Sequence, residues 1–397
     1  MERREFLLKS AAGVFTTGLA APLPRMAADV KQENPRIIYR IMGRTGLKVP
    51  VLSFGVMNTD SPELIKKALE MGLKHLDTAN GYLRGNSEAS IGRVLKETGM
   101  RDKVYVATKI HLARDWNTGK FTLEDGGRSP AATAENFNRL LDQSLGRLQS
   151  DYVDILYVHA CDNAEMVRFE TTLIAAVKAK EAGKARFIGV SAHSKVAEVI
   201  RAAVDAKVYD VVEAAFNYQR GDRDEIAQAV AYAKENGVAI VAMKTQGGAR
   251  REGDPAAFNH KAALKWVLSH EGVSTAIPGM TTFEQLELNF SVMADLNLTD
   301  DEKKAVKWTG IGGFCQDCRA CVAQCPKRVE VPNLMRAYLY SEGYGNPSHA
   351  QWTLDTIPAE HGLSACRECT GCSVNCRNGL NIGSRVKRLK QQFSMYA

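Results

Sequence analysis

The sequence predicts an α/β protein: a closed (β/α)8 barrel followed by a small α+β or irregular domain. Three observations carry this. Short β-branched runs alternate with longer amphipathic ones eight times between about residues 39 and 289, no G-x-G-x-x-G follows the first strand, and eight of the nine cysteines fall between 315 and 376. Eight strand–helix repeats over about 250 residues match the length of a closed barrel. A doubly wound sheet is the rival, and the missing glycine motif weakens its dinucleotide-binding version.

The strand candidates are 51–56, 73–77, 104–109, 153–158, 186–190, 211–215, 238–243 and 274–277, with helical patterns such as 62–71, 130–148, 166–182 and 222–236 between them. Gly, Asn and Ser punctuate the joins. At 397 residues, with 45% hydrophobic and 24% charged residues, the chain has the composition of a soluble globular protein of two or three domains. Its net charge of +7 comes without a dense basic run carrying interleaved aromatics, so nucleic acid is not an expected partner.

The chain opens Arg3-Arg4-Glu5-Phe6-Leu7-Leu8-Lys9, followed by a mildly apolar run over 11–21. Paired arginines before a short apolar region read as a twin-arginine export signal, here assigned with its linker to 1–28. The run is short for a membrane span. Gly18 and Ala20 offer one cleavage point and the stretch to Ala28 offers others; an uncleaved signal would keep the protein at the membrane. A chance Arg-Arg in a cytosolic protein is the alternative. The expected destination is the periplasm, reached through the machinery that exports proteins already folded and loaded with cofactor.

Ionisable residues stand at three successive strand ends, where the active site of such a barrel lies: Asp77, Lys109 and His159, with Tyr82 on the loop beyond Asp77. Singly, each has a bland explanation as a cap or packing residue; together on one rim they suit proton transfer to a carbonyl oxygen that receives a hydride. Free tyrosine titrates near ~10, and a neighbouring lysine ammonium is expected to favour its phenolate and lower that value. Asp77 would hold Lys109 charged, and His159 would orient the carbonyl.

The stretch His75-Leu76-Asp77-Thr78-Ala79-Asn80-Gly81-Tyr82 with Gly85-Asn86-Ser87-Glu88, then Thr108-Lys109, Tyr152-Val153-Asp154 through His159, the opening Gly43 to Val49, and Ile277-Pro278-Gly279 resemble the aldo/keto reductases. The resemblance covers about 38–295, within a barrel domain assigned to 38–308. It implies a catalytic tetrad of Asp77, Tyr82, Lys109 and His159, with Tyr82 as general acid, and a carbonyl–alcohol substrate pair. It also implies nicotinamide contacts from Ser191, Glu213, Met243, Lys244, Gly279 and Gln285. Ala192 and Glu213 stand where the family holds the carboxamide with amides, and Met243 stands where it often stacks an aromatic ring. Gly279 and Gln285 stand where members that prefer NADPH carry basic residues, so NAD(H) is favoured over NADP(H). Arg250 and Arg251 could compensate, or be solvated loop charges.

Cys315, Cys318, Cys321 and Cys325 form C-x2-C-x2-C-x3-C before Pro326; Cys366, Cys369, Cys372 and Cys376 repeat the spacing before Arg377. This is the spacing of [4Fe-4S] ligands, whereas structural zinc sites usually set two Cys pairs further apart. In two-cluster ferredoxins the fourth cysteine of each run serves the other cluster. That resemblance implies Cys315, Cys318, Cys321 and Cys376 on one cluster, and Cys366, Cys369, Cys372 and Cys325 on the other, within a ferredoxin-type domain over 309–390. About forty residues separate the runs, with a helical pattern at 334–340 and a Gly/Pro/Ser loop near 343–348. Cys161 stands apart, as buried filler or a pocket thiol. His75, His111 and His193 lie near the rim and are read as structural.

Two functions follow. One is an exported oxidoreductase acting on a small carbonyl or alcohol; the other is an electron-transfer protein that docks a redox partner and uses the barrel as a binding module. Feeding hydride from the barrel to the clusters needs a two-to-one electron splitter such as a flavin, and no flavin signature is present.

Overall fold

The structure, a computed structural model, describes residues 37–115, 118–125, 129–247, 258–307 and 313–393. The leading segment with its expected export signal, and Arg250 and Arg251, lie outside them.

Eight parallel strands form one sheet: β1 (Phe54–Gly55), β2 (His75–Asp77), β3 (Tyr105–Ile110), β4 (Val153–Val158), β5 (Ala185–Ala192), β6 (Val211–Ala215), β7 (Ala239–Met243) and β8 (Val273–Ala276). Parallel bridges Leu52–Ala276 and Gly55–Gly279 join the first and last strands, so the sheet closes into a barrel. Each strand is packed on both faces, which is why β4 reads as a continuous buried run, Val-Asp-Ile-Leu-Tyr-Val. An antiparallel hairpin, Tyr39–Ile41 with Lys48–Pro50, covers the opposite end; Arg40 there donates to the carbonyls of Val273 at 2.6 Å and Leu268 at 2.7 Å.

Around the barrel lie α1 (Pro62–Glu70), α2 (Asn86–Thr98), α3 (Ala134–Leu148), α4 (Glu170–Glu181), α5 (Val196–Asp205), α6 (Arg223–Glu235), α7 (His260–Leu268) and α8 (Phe283–Phe290). Three expectations need correction. The helix expected over 130–148 starts at Ala134, because the Thr133 hydroxyl caps it by accepting the Asn136 N–H at 3.2 Å. The pattern over 166–182 is two helices, because Asn163 caps a separate turn, Ala164–Val167, and Phe169 is extended. The strand expected over 51–56 keeps only Phe54–Gly55 as ladder, with Leu52 paired by a single bridge.

β5 passes close to its neighbours at Gly189, where a Cβ would lie 2.3 Å from the Val211 carbonyl oxygen and 2.8 Å from the Tyr157 ring. Backbone on one side and a fully buried ring on the other leave no room to yield. Gly189→Ala is therefore expected to lower stability by about 1–3 kcal/mol, read as a lower urea midpoint at unchanged slope.

Beyond α9 (Asp300–Val306) the chain turns onto the C-terminal ends of the strands. Among the described residues 313–393 there are helices and irregular segments and no strand, so of the expected α+β or irregular architecture the irregular form is found. The helices are α10 (Val331–Tyr338), continued by a π turn over Leu339–Gly343, then α11 (Pro347–Asp355) and α12 (Ile382–Gln392). α11 begins inside the loop expected at 343–348, with Pro347 at its first turn and the Asn346 side chain as cap. Leu334, Leu354, Ile382 and Leu389 centre a small core of its own.

Candidate active site and thiol clusters

At the mouth of the barrel, Asp77 at the end of β2, Lys109 in β3 and Glu213 in β6 are buried together. Lys109 Nζ is ion-paired with Asp77, donates to the Thr78 carbonyl at 2.8 Å, and lies 3.2 Å from Glu213 Oε2. The last contact is charge proximity without hydrogen-bond alignment, since Glu213 Oε2 has no hydrogen-bond partner. Two carboxylates on one ammonium in a dry site cannot both ionise. Burial first, and Asp77 next, push Glu213 up to about 8, with Lys109 pulling it back. Burial raises Asp77 as well, and its closer contact with Lys109 pulls it back toward the charged form. For Lys109 burial works against the ammonium, but Asp77 and Glu213 outweigh it and hold the pKa above the ordinary lysine value.

Tyr82 opens a tight turn, Tyr82–Gly85, in which Leu83 and Arg84 take left-handed backbone (φ 49° and 56°) and swing the ring over the mouth. Lys109 Nζ lies 5.0 Å from its ring centre, and the ring meets His159 edge-on at 5.9 Å. The tetrad expected from sequence is thus brought together. The expected depression of the Tyr82 pKa is not found. Burial raises it, Lys109 lowers it by less, and Glu213 and Asp77 add to the rise. Tyr82 therefore stays a phenol, ready to donate a proton. His159 is kept neutral by burial first and by His111 next, and its Nδ1 has no partner.

A cavity of about 740 Å³ runs from Asp77 and Tyr82 past Glu213, Met243 and Lys244 to Gly279 and Gln285. That volume is ordinary for a cofactor site. Five of the six nicotinamide candidates line it. Ser191 does not: its hydroxyl accepts the Ala160 N–H at 2.8 Å and fixes the loop after β4. Lys244, left-handed at φ 54°, is half-buried with Nζ 3.8 Å from Met57 Sδ and faces the rings of Tyr340 and Tyr344 at 4.8 and 5.2 Å. Burial first, then Arg336, pushes it down to about 7. Gln285 is turned onto its own loop, accepting the Thr281 N–H at 2.8 Å.

Sequence reasoning missed the wall that the cysteine-bearing domain builds. Tyr340, His349 and Trp352 reach over the barrel mouth: His349 meets Tyr82 edge-on at 5.2 Å, and Trp352 meets His111 at 5.2 Å. The available signal was the length of the segment between the two cysteine runs and its Tyr-, His- and Trp-rich stretch from 338 to 352. His193 also faces this wall, lining a second, smaller cavity next to Arg336 and Tyr340. Cys161 is fully buried and acts as filler.

The other eight thiols fall into two groups. Left-handed Asp317 and Arg319 (φ 56° and 58°) coil the chain around Cys318. Backbone N–H groups of Asp317 and Asn378 each point at a sulfur, Cys315 and Cys376, at 3.4 Å. Gln324 and Asn375, each preceding the fourth cysteine of its run, exchange hydrogen bonds of 2.9 and 3.1 Å and tie the runs together. Burial first raises Cys321 to about 11, with Cys318 and Cys376 among its repelling neighbours. Burial first also raises Cys366 to about 11, and there the neighbours are Cys369, Cys325 and Cys372. Each fourth cysteine thus neighbours the other run's group, the crossed arrangement of a two-cluster ferredoxin. Among the described residues no three such side chains are already closed on one centre. The donor set fits iron: neighbouring thiols, half-buried or exposed, that repel one another as thiolates are neutralised by a cationic cluster.

The chain matches the aldo/keto reductase family over residues 53–261 and a 4Fe-4S dicluster domain over 314–381. It is 31% identical over 180 residues to L-glyceraldehyde 3-phosphate reductase of Escherichia coli (strain K12), covering 41% of this chain and 49% of that one. It is 27% identical over 299 residues to L-galactose dehydrogenase of Arabidopsis thaliana, covering 66% and 89%. The chain spans about half the length of the first of these relatives. In fold it is similar to an aldo-keto reductase from Bacillus halodurans in its holo form (TM-score 0.57, 21% identity, 71% of this chain and all of that one). It is also similar to a thermostable aldo-keto reductase in complex with epalrestat (TM-score 0.55, 23% identity, 68% and 98%). With more than half its length matched, and with a C-terminal iron–sulfur domain, the chain belongs to the aldo/keto reductase family.

Proposed function

We propose that the protein is an NAD(P)-dependent oxidoreductase that interconverts a small carbonyl compound and its alcohol. The observation that carries this is the buried Asp77–Lys109 pair beneath Tyr82, at one end of the cavity of about 740 Å³. Bound nicotinamide supplies or accepts the hydride. The protein's part is the proton: Tyr82 Oη gives it to the carbonyl oxygen in reduction and takes it from the hydroxyl in oxidation. The Lys109 ammonium steadies the phenolate left behind, and Asp77 keeps Lys109 charged and aimed. Below its pKa of about 8, Glu213 carries both an O–H donor and a carbonyl acceptor, the pair an amide offers, and so suits the carboxamide.

This has a pH consequence. Ionisation removes the Glu213 donor and puts a second charge beside Asp77, so dinucleotide affinity is expected to fall as pH rises through about 8. Glu213→Gln is expected to keep the neutral-pH affinity within about three-fold and to lose that pH dependence. Dissociation constants measured at pH 6.5, 8 and 9.5 check both points; an equal fall in the variant would remove Glu213 from this role.

NADH is preferred in this reading, because Gly279 and Gln285 offer no cation to a 2′-phosphate. Cys315, Cys318, Cys321 and Cys376 would hold one [4Fe-4S] cluster and Cys366, Cys369, Cys372 and Cys325 a second; bound clusters supply one-electron chemistry to a redox partner, or a structural brace. Export through the twin-arginine route to the periplasm is part of the same proposal, tested by fractionating cells that express the chain with Arg3 and Arg4 replaced by Lys. The primary test is fluorescence titration of anaerobically purified, cluster-loaded protein with NADH and NADPH. Binding, tighter for NADH, is expected; binding of neither would overturn the reductase reading.

A further inference from the structure

Beside the long groove lies a separate chamber of about 40 Å³, room for two or three waters. Tyr82, His111 and His159 face it from the barrel, and Tyr340, His349 and Trp352 from the iron–sulfur domain. We propose that His349 and Trp352 are specificity-determining residues of the active site: the iron–sulfur domain completes the substrate chamber, which takes a small uncharged hydroxy-carbonyl compound. This rests on the reductase reading above and extends it to the substrate.

The first observation is unmet hydrogen bonding. His111, His159 and His349 all line the chamber, and each carries a buried Nδ1 without a hydrogen-bond partner; His159 and His349 are 7% and 2% exposed. Such groups are rare in folded proteins, so three around one chamber set it apart from ordinary core packing. The second is charge. The two guanidinium groups at the chamber are matched, Arg114 by Asp162 at 2.7 Å and Arg336 by Asp317 in a close pair. Burial is the leading cause that keeps all three imidazoles neutral, with His111 and His349 both pushed down to about 3. A carboxylate or phosphate here would meet no unmatched cation, whereas hydroxyl groups would meet donors and acceptors.

The third is construction. Trp352 stacks on His349 at 5.3 Å and 8°, leaving an aromatic face of the kind that packs against C–H bonds. The wall is fixed from both domains. Asn346 accepts the His349 N–H at 2.9 Å, capping α11, and donates to Asn58 Oδ1 on the barrel at 3.0 Å. Gly81, next to Tyr82, leaves the indole its place, since a Cβ there would lie 2.5 Å from the ring. Room for only two or three waters limits what fits beside Tyr82 to a short chain.

The test uses the full-length, cluster-loaded protein and its His349→Leu, His349→Gln and Trp352→Leu variants, each checked for cluster absorbance. Glyceraldehyde and glyceraldehyde 3-phosphate are titrated calorimetrically and assayed with NADH, and NADH binding is measured separately. Glyceraldehyde is expected to bind at least ten-fold tighter than its phosphate. His349→Leu and Trp352→Leu should weaken it ten-fold or more, in KM and by calorimetry, with NADH affinity unchanged, while His349→Gln stays within about three-fold of wild type. Tighter binding of the phosphate, or unchanged glyceraldehyde binding in both leucine variants, would overturn the proposal. Glyceraldehyde binding that is lost on His349→Leu, in a protein that binds no NADH, would uphold the chamber and sink the reductase reading instead.

Discussion

Tyr82→Phe is expected to lower kcat for carbonyl reduction by about 10²–10⁴-fold, the usual worth of a positioned general acid, while NADH affinity stays within about three-fold. The reasoning is local. The phenyl ring keeps the edge contacts with His159 and His349, so the packing survives. Lys109 keeps its pair with Asp77 and its bond to the Thr78 carbonyl. Only the proton is removed. Because burial outweighs Lys109 and raises the Tyr82 pKa, the phenol is present across the neutral range, and reduction should not decline there through loss of this acid. Oxidation of an alcohol needs the phenolate and should accelerate toward high pH. Stopped-flow single-turnover rates with both directions measured decide the matter; a Tyr82→Phe enzyme with wild-type rates would place the proton donor elsewhere.

The strands of the barrel were legible because a parallel strand buried on both faces leaves an unbroken apolar run. Val153–Val158 is bounded as the pattern places it, and Val211–Ala215 likewise. Boundaries failed where a side chain, not a pattern, decides them: the Thr133 cap, and the Asn163 cap that splits one helical pattern into two. The tetrad was legible because neighbouring strand ends converge in any closed barrel, so residues 77, 109 and 159 needed no tertiary knowledge. The chamber wall was not. His349 lies far along the chain from Tyr82, and nothing local in Asn346–Asp355 says which surface α11 will meet. The same gap explains the wrong direction for Tyr82. Its proximity to Lys109 could be inferred, but the burial that outweighs Lys109 depends on the residues of the covering domain.

Removing the iron should therefore act on the active site from a distance. Chelation under mild reduction is expected to melt residues 313–393 while the barrel stays folded. The C-terminal core is small, and a core of that size supplies only a few kcal/mol of stability without a staple such as bound metal. Its remaining connections include the thiols of the two runs, with half-buried Cys315 pushed up to about 12 chiefly by desolvation. Without a cluster these thiols are protonated and no longer bridge distant parts of the chain, and the binding energy of the metal is lost as folding energy. The barrel has its own large core and its own closure between β1 and β8, so a second, higher thermal transition should remain. As α11 leaves, the Asn346–Asn58 and Asp317–Ser194 bonds break and Trp352 parts from His349. Tyr82 then regains water. With burial, its leading cause, relieved, its pKa should move back down toward the ordinary tyrosine value as Lys109 comes to dominate. Three readings follow this together: cluster absorbance, protease cleavage confined to the C-terminal region, and the ultraviolet titration of tyrosine. Loss of absorbance with one unchanged thermal transition and no new cleavage would mean that the domain stands without its clusters, and that their role is electron transfer alone.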